Sequence, residues 1–256
     1  MRNSIICIIA LIVFMSSFSF LQAQERYSRL ITDETTKTFK NVSELEIENV
    51  TGNIKIIGWE KNSIKVTYIR KAKRERLLKD IEVFMHVTNN SLMIDTEIPQ
   101  FCNQCAVDFI ISVPKSLNSI DAKTITGTIS LDEVDTVENL RCKCITGQIG
   151  AKLSFNTADL SIVTGSITLS LLESNGKEEI YAKTITGSIN LYAPSNFNAK
   201  VNLSAVTGSI NTDFPVSTIG KIKHNRLEGK IVDGQGRCEL KTTTGSINLK
   251  KLIKGS

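Results

Sequence analysis

One short phrase recurs along the chain and constrains its fold more than any other feature. It reads Val or Ile, Thr, Gly, a polar residue and Ile, with Thr as the first residue of the last copy. Its glycines are Gly52, Gly127, Gly147, Gly165, Gly187, Gly208 and Gly245. From Gly127 to Gly208 the copies follow at intervals of 18 to 22 residues, and such a period is the signature of a stacked repeat fold. The last interval is 37 residues, nearly two periods, so it contains a decayed copy or an insertion.

Each copy predicts two β-strands joined by a sharp corner at the Thr-Gly pair. In residues 120–131, apolar or small side chains alternate with polar ones on both sides of the corner, which is the period-two signal of half-buried strands. Glycine reaches positive φ without penalty and lets the neighbouring turn stack closely. The β-branched Thr and Ile pack well on pleated surfaces. We therefore expect the seven glycines to be structural corners.

A repeat unit of this length cannot bury its apolar face alone, so neighbouring units stack, each about 4.8 Å above the last. Stacking in the order of the sequence gives parallel pairing. The predicted fold class is therefore all-β, a parallel β-solenoid or β-helix with coils of about 20 residues. The alternative is an antiparallel sandwich whose hairpins share a turn motif, because regular strand spacing also fits sandwiches.

The N-terminus predicts an export signal. Arg2 supplies the positive start, residues 5–15 are almost wholly apolar, and Ala23 offers a small residue at the cleavage position. Residues 1–23 are therefore a predicted signal peptide. An uncleaved membrane anchor is the alternative, but the apolar run is short for a spanning helix. We expect an exported, secreted protein of the periplasm or cell surface, with no membrane span after cleavage.

The remaining chain divides by how well it keeps the repeat. Residues 24–37 are a predicted polar lead-in, and residues 38–98 a capping region that is continuous with a repeat region at 99–256. The cap is expected to contain strands, a helix at 70–80 and a hairpin at 81–96 that turns at Asn89 and Asn90. It would cover an open sheet edge. Residues 214–236 are the expected insertion.

Composition and motifs exclude several function classes. The net charge is +5, a mild excess that does not indicate a nucleic-acid partner. Two histidines, His86 and His224, lie far apart, and no nucleophile elbow, zinc-protease, phosphate-loop or dinucleotide motif occurs. The acidic loop at 132–138 matches no calcium-loop spacing. We predict no catalytic residue, no metal site and no cofactor.

The cysteines after the signal peptide are Cys102, Cys105, Cys142, Cys144 and Cys238. Cys102 and Cys105 form a CxxC pair, for which an oxidising compartment favours a local disulfide over a redox pair or half a zinc site. Cys142, Cys144 and Cys238 align with inward positions of other coils, so they are predicted to be small apolar fillers. A zinc site from both pairs is conceivable, although no spacing brings the pairs together.

The residues that carry the repeat match a known family. They are the Thr-Gly-Ser-Ile-Asn-Leu phrase at 186–191, the strand at 109–114 and the ending at 236–249. Over about residues 39–250 the chain resembles the bacterial β-strand-repeat family labelled putative adhesin, related to the head-GIN adhesin-like domains. The resemblance implies an exported, single-chain β-solenoid with no known enzymatic residues, and it transfers no site. Thr-Gly replaces the Asn-Gly of many members.

Two function classes follow from these observations. The first is a non-catalytic, adhesin-like binding module of the bacterial envelope or surface, with a protein or polysaccharide as its unknown partner. The alternative is a polysaccharide-active β-helix enzyme, which needs clustered acid and base groups on one face. A weaker hypothesis rests on the Thr and Ser of the corners, whose hydroxyl rows resemble the Thr-x-Thr arrays of ice-binding solenoids.

Overall fold

The computed structural model describes residues 30–218 and 225–253, and this part of the chain is all-β apart from one short helix. The predicted signal peptide and His224 lie outside the described residues. The elements are β1 Ile31–Lys40, β2 Glu44–Thr51, β3 Ile54–Trp59, β4 Ser63–Ala72, α1 Glu75–Lys79, β5 Glu82–Thr88, β6 Ser91–Glu97, β7 Ala106–Pro114, β8 Ser116–Asp132, β9 Thr136–Leu171, β10 Glu179–Thr186, β11 Ile189–Ala193, β12 Ala199–Thr207, β13 Ile210–Thr212, β14 Ser217–Thr218, β15 Arg226–Ile231, β16 Gly236–Thr244 and β17 Ile247–Lys251.

The strands that flank the Thr-Gly corners pair in parallel and in register. β8 aligns with the first half of β9 so that Gly127 lies beside Gly147 and Ile129 beside Ile149. The second half of β9 pairs in the same frame with β10 and β11. Equivalent residues of adjacent copies therefore lie about 4.8 Å apart. The in-register stacking that the repeat predicts is confirmed for these coils.

The core is built from rows of equivalent inward side chains. The clearest row follows each corner by two residues, where Ile recurs because a β-branched side chain fills the pleated surface well. Full burial of one such side chain contributes roughly 1.5–3 kcal/mol. The buried members, each no more than 1% exposed, are Ile54, Ile129, Ile149, Ile167, Ile189 and Ile247.

The first five copies of the phrase stack in the order of the sequence, whereas the last two copies do not, so the expectation was wrong for that end. β16 and β17 pair with β10 and β11 on one side and with β12 and β13 on the other. The last copy of the phrase thus lies between the fifth and sixth copies. At the other end, β2 and β3 lie between the pair β6–β7 and β8. Long connections allow this interleaving because the entropy cost of closing a loop grows slowly with its length.

The sheet is also mixed rather than purely parallel. Antiparallel pairs join β1 to β4, β4 to β7, β5 to β6, β12 to β15 and β14 to β15. These pairs flank the in-register parallel coils, and among the described antiparallel pairs only β5 and β6 are joined directly by a two-residue turn. Residues 214–236, the expected insertion, contain β14 and β15.

The N-terminal region differs from its prediction in its helix. Only Glu75–Lys79 is helical, whereas the expected helix spans residues 70–80. Ala72 is buried and pairs with Ile31 across β4 and β1, so strand pairing outweighs the helix propensity of this segment. No helix in the described residues is long and apolar enough to cross a membrane.

The predicted hairpin is confirmed. β5 and β6 pair antiparallel around Asn89 and Asn90, whose φ angles are 51° and 63°. β1 begins at Ile31, inside the predicted polar lead-in, because its backbone pairs along the whole length of β4. Strand pairing therefore begins earlier in the chain than the polarity of the sequence indicates.

Candidate binding surface at the stacked corners

Each corner glycine packs directly on the backbone of an adjacent coil. Gly187 has a φ of +142°, and a Cβ atom built there would lie 1.8 Å from the carbonyl oxygen of Gly165. The same steric situation recurs along the stack, with φ between 126° and 150° at all seven predicted corner glycines. A side chain at these positions would force the coils apart.

A buried side chain three residues before the glycine completes several corners. Thr184 donates through Oγ1 to the carbonyl of Gly165 at 3.4 Å, and Thr242 donates to Gly187 at 3.1 Å. In a third coil the Cys144 thiol is 3.5 Å from the carbonyl of Gly127. Buried carbonyls need such partners, since leaving one unsatisfied costs about 1–3 kcal/mol. This role explains a polar residue at a position that the alternation places inside.

The residue two before each glycine points outward and is usually aliphatic. These side chains form a row that we call the corner ridge. Thr243 occupies the coil between Ile185 and Val206 and interrupts the ridge. The ridge consists of Ile125, Ile145, Val163, Ile185 and Val206, which are 42–67% exposed. The corner ridge was not predicted from the sequence, although the alternation places these residues on the outward side of the strands.

A row of lysines runs beside the corner ridge, two residues earlier in the strands. Lys123 pairs with Glu48 at 2.6 Å, and Lys241 pairs with Glu239. Within the part of the chain that the structure describes, neither Lys143 nor Lys183 has a carboxylate within 4 Å. A groove of about 400 Å³ is lined by residues of both the lysine row and the ridge. Apolar and cationic side chains thus share one surface.

Apart from Glu48 and Asp95, which stand in register with the lysine row, the acidic side chains beside this surface lie one row further from the ridge and are engaged by basic neighbours. Asp121 is 3.7 Å from Lys123 and 3.5 Å from Arg141, and Arg141 is 3.6 Å from Asp159. Burial raises the pKa of Asp121, while the charges of Lys123 and Arg141 oppose this shift. Glu239 has a lowered pKa because Lys241 and Arg237 donate hydrogen bonds to it. This row is therefore largely neutralised from within.

The coil formed by β6 and β7 has a different corner. Residues 98–105 join its strands where other coils have the Thr-Gly pair, and a disulfide joins Cys102 to Cys105 with their Cα atoms 5.4 Å apart. Phe101 is 93% exposed in this loop. Because β6 and β7 run parallel to β2 and β3, the loop lies at the same edge of the molecule as the corner ridge.

The other cysteines are core residues. Cys142 and Cys144 lie beside Ala122 and Thr124 in the register of β8 and β9, and Cys142, Cys144 and Cys238 are all buried free thiols. Burial raises the pKa of the Cys142 and Cys144 thiols and brings that of Cys238 to about 12. The described residues contain no cluster of three or more His, Cys, Asp or Glu side chains that could hold a metal.

The remaining candidates lie apart from this surface or are discontinuous. Asp132 ends β8, Glu133 and Asp135 lie in the turn that follows it, and all three line a separate groove with Lys55. His86 lies on the outer strand β5, which pairs with β6 alone among the described strands. Of the two hydroxyl rows, the one that follows the glycines is interrupted by Gln148, which lies beside Thr128.

Comparisons with known proteins give fold neighbours. No family model matches the sequence, and no curated protein matches it. A solved structure of a "putative cell adhesion protein" from Clostridium sporogenes ATCC 15579 is similar at a TM-score of 0.53, with 14% identity over 87% of this chain and 100% of that chain. A "putative adhesin" from Bacteroides fragilis NCTC 9343 gives 0.38, with 15% identity over 88% and 98%. The Clostridium structure shows a shared fold.

Proposed function

We propose that the chain is an exported, non-catalytic binding module of the bacterial envelope or surface. Its coils form a β-solenoid with antiparallel strands at the ends and an interleaved coil order. The observation that carries this proposal is the corner ridge, whose members from Ile125 to Ile185 stand on consecutive coils, because a contiguous row of exposed aliphatic side chains on a folded protein marks an interaction site. The adhesin names of the fold neighbours support the same class.

The proposal includes export and the division of the chain. Residues 1–23 are removed as a signal peptide, residues 24–37 lead in, and residues 38–98 form one domain with the repeats at 99–256. The disulfide between Cys102 and Cys105 supports this location, since disulfides persist in oxidising compartments outside the cytosol. Mass spectrometry of the protein recovered from the producing cells tests the first step, with an N-terminus at Gln24 as the expected result.

The alternative function, polysaccharide cleavage, requires an acid and a base placed around a sugar bond. The acids on the face beside the ridge are held in ion pairs, such as Asp121 with Arg141, and this favours binding over catalysis. An assay for oligosaccharide release from envelope glycans separates the two. Steady release that disappears when the loop at 132–138 is replaced would establish the enzyme instead.

Crosslinking in intact cells tests the binding role. A tagged chain carrying a photoreactive residue at Ile145 is expected to capture envelope components, which mass spectrometry identifies. The matched control carries the same group at Phe84, which is similarly exposed at 43% but lies on β5. Equal capture from both positions, or retention of the chain in the cytosol, would contradict a binding module that uses the corner ridge.

A further inference from the structure

One edge of the molecule carries a row of protruding apolar side chains. We define the apolar edge as the corner ridge together with Phe101. The edge extends from the disulfide loop, along the stacked corners, to Val206 in the coil of β12 and β13. With coils about 4.8 Å apart, its length is on the order of 30 Å. Phe101 is exposed to 93% at one end, and Val206 to 67% at the other.

The rows that border the apolar edge are cationic or neutral except at Glu48 and Asp95, in the two coils nearest the disulfide loop. On one side Lys143 and Lys183 extend from the strands with no carboxylate within 4 Å in the described chain. Glu48 and Asp95 line the end of the groove nearest the disulfide loop, and Lys123 binds Glu48. On the other side the polar residues that follow the glycines are uncharged. They are Asn53, Thr128, Gln148, Ser166, Ser188, Ser209 and Ser246.

We propose that the apolar edge docks on an anionic lipid surface, with Phe101 and the corner ridge at the boundary between headgroups and acyl chains. The proposal rests on the export proposed above and names the partner of that binding module. Interfacial binding requires apolar side chains in a plane with amines beside them, because the side chains enter the boundary while the amines meet lipid phosphates. The lysine stems also allow their amines to reach the headgroups.

The geometry favours lipid over a folded protein or a sugar. Phe101 is the one aromatic side chain of the edge and lies at its end, so the aliphatic row along the coils offers no aromatic platform for a sugar ring. A protein partner would need a shape that fits a long ridge and a fully exposed Phe101 beyond its end, whereas a fluid lipid surface adapts to both. The disulfide loop and the in-register coils hold the edge in place before binding, so little ordering is required on contact.

Flotation with lipid vesicles tests the proposal. The chain in the form that the cell produces is mixed with vesicles of phosphatidylcholine alone or with an equal share of phosphatidylglycerol. We expect flotation with the anionic vesicles and at least tenfold weaker binding to the neutral ones. High salt should weaken the anionic binding. No flotation with anionic vesicles would overturn the lipid proposal. The proposed function would still be tested separately, by the export and envelope-crosslinking experiments.

Two matched variants assign the binding to the edge. The triple variant Phe101→Asp, Ile145→Asp and Ile185→Asp is expected to lose at least tenfold in apparent lipid affinity. The control variant Phe84→Asp, Val87→Asp and Val232→Asp changes residues that are 43–65% exposed elsewhere, and it should stay within twofold. Both share the same N-terminus, so any contribution of the first residues cancels. Equal losses, with both variants folded by circular dichroism, would contradict the assignment.

Charge and depth give independent measurements. Lys143→Glu with Lys183→Glu should reduce binding to anionic vesicles at least fivefold and leave the weak binding to neutral vesicles unchanged. In the variant Phe101→Trp, the tryptophan fluorescence maximum should shift to shorter wavelength when anionic vesicles are added, compared with the parent protein. An unchanged emission would overturn the lipid proposal. If the chain binds no vesicles and the triple variant loses a crosslinked envelope protein, the edge is a protein interface instead.

Discussion

Two glycines of the stack show what the corner demands of single residues. Gly187 has a φ of +142°, and a Cβ atom built there would lie 1.8 Å from the carbonyl oxygen of Gly165. Gly150 lies a few residues beyond another corner, and a Cβ there would meet nothing within 4 Å. The two positions therefore separate a glycine that the fold requires from one that it only tolerates.

Replacing Gly187 by Ala is expected to lower the free energy of unfolding by about 3 kcal/mol, because the Cβ strains the backbone and pushes on the adjacent coil. The matched change Gly150→Ala should stay within about 1 kcal/mol and could stabilise the protein by restricting the unfolded chain. Urea unfolding of both variants measures the difference. Similar shifts would mean that the corner is not held by glycine.

The buried thiol of Cys238 predicts a pH dependence of stability. Its pKa is raised from 9.0 to about 12 in the folded protein, so the folded state holds the proton that the unfolded state loses. The stabilisation that this proton gives the folded state is complete below about pH 9. The free energy of unfolding then falls as pH rises toward 12, by no more than about 1.4 kcal/mol per pH unit. Cys238→Ala should make this decline shallower in urea unfolding at pH 9–11. An unchanged slope would contradict the assignment.

At the scale of elements, the loop at residues 98–105 replaces a glycine corner by a covalent one. Within this loop, Cys105 is buried whereas Phe101 is 93% exposed. The disulfide closes a ring of only four residues, for which the entropy model gives about 2 kcal/mol. Its expected effect is therefore local order of the loop more than stability of the whole stack.

Opening the disulfide should expose the loop to proteolysis. In the variant Cys102→Ser with Cys105→Ser, we expect chymotrypsin to cleave after Phe101 several times faster than in the parent protein. Phe84 is the internal control, because it is 43% exposed but held in the β5–β6 hairpin. Peptide mapping over time measures both sites. Equal cleavage at Phe101 in the two proteins would show that the disulfide does not order the loop.

At the scale of the whole molecule, the interleaved order makes the end of the chain an internal part of the fold. β16 and β17 pair with a coil on each side, and Asn248 links the two neighbours through side-chain hydrogen bonds to Asn190 at 2.8 Å and from Asn211 at 3.0 Å. Removing this coil separates β12 and β13 from the rest of the stack.

Truncation before Gly236 should therefore abolish cooperative unfolding and expose the apolar core. Deleting Ile31–Lys40 is the control, since β1 pairs only with β4 among the described strands and should leave a cooperative transition at lower temperature. Thermal unfolding by circular dichroism, with dye binding to exposed apolar surface, measures both variants. If the truncated chain melts cooperatively like the control, the last coil is terminal and the interleaved order is wrong.

Much of the local structure could be predicted from the sequence. The in-register pairing of the corner strands, the inward side chains of Cys142 and Cys144 and the hairpin at Asn89 and Asn90 all follow from alternation and backbone preference. The alternation and the turn residues that determine these features lie within single coils or single turns. The predicted helix at 70–80 is longer than the observed one, because the pairing of β4 with β1 is not visible in local propensity.

The coil order and the apolar edge were decided only by the tertiary structure. All the corner coils carry nearly the same rows of Ile, Thr and Ser, so the edge of each coil accepts several of the others. Which coil stacks on which then depends on how the long connections close, as when β16 enters between β10 and β12 and β17 enters between β11 and β13. The sequence alone determines the corner and its register, whereas folding of the whole chain places Phe101 at the edge that carries the corner ridge.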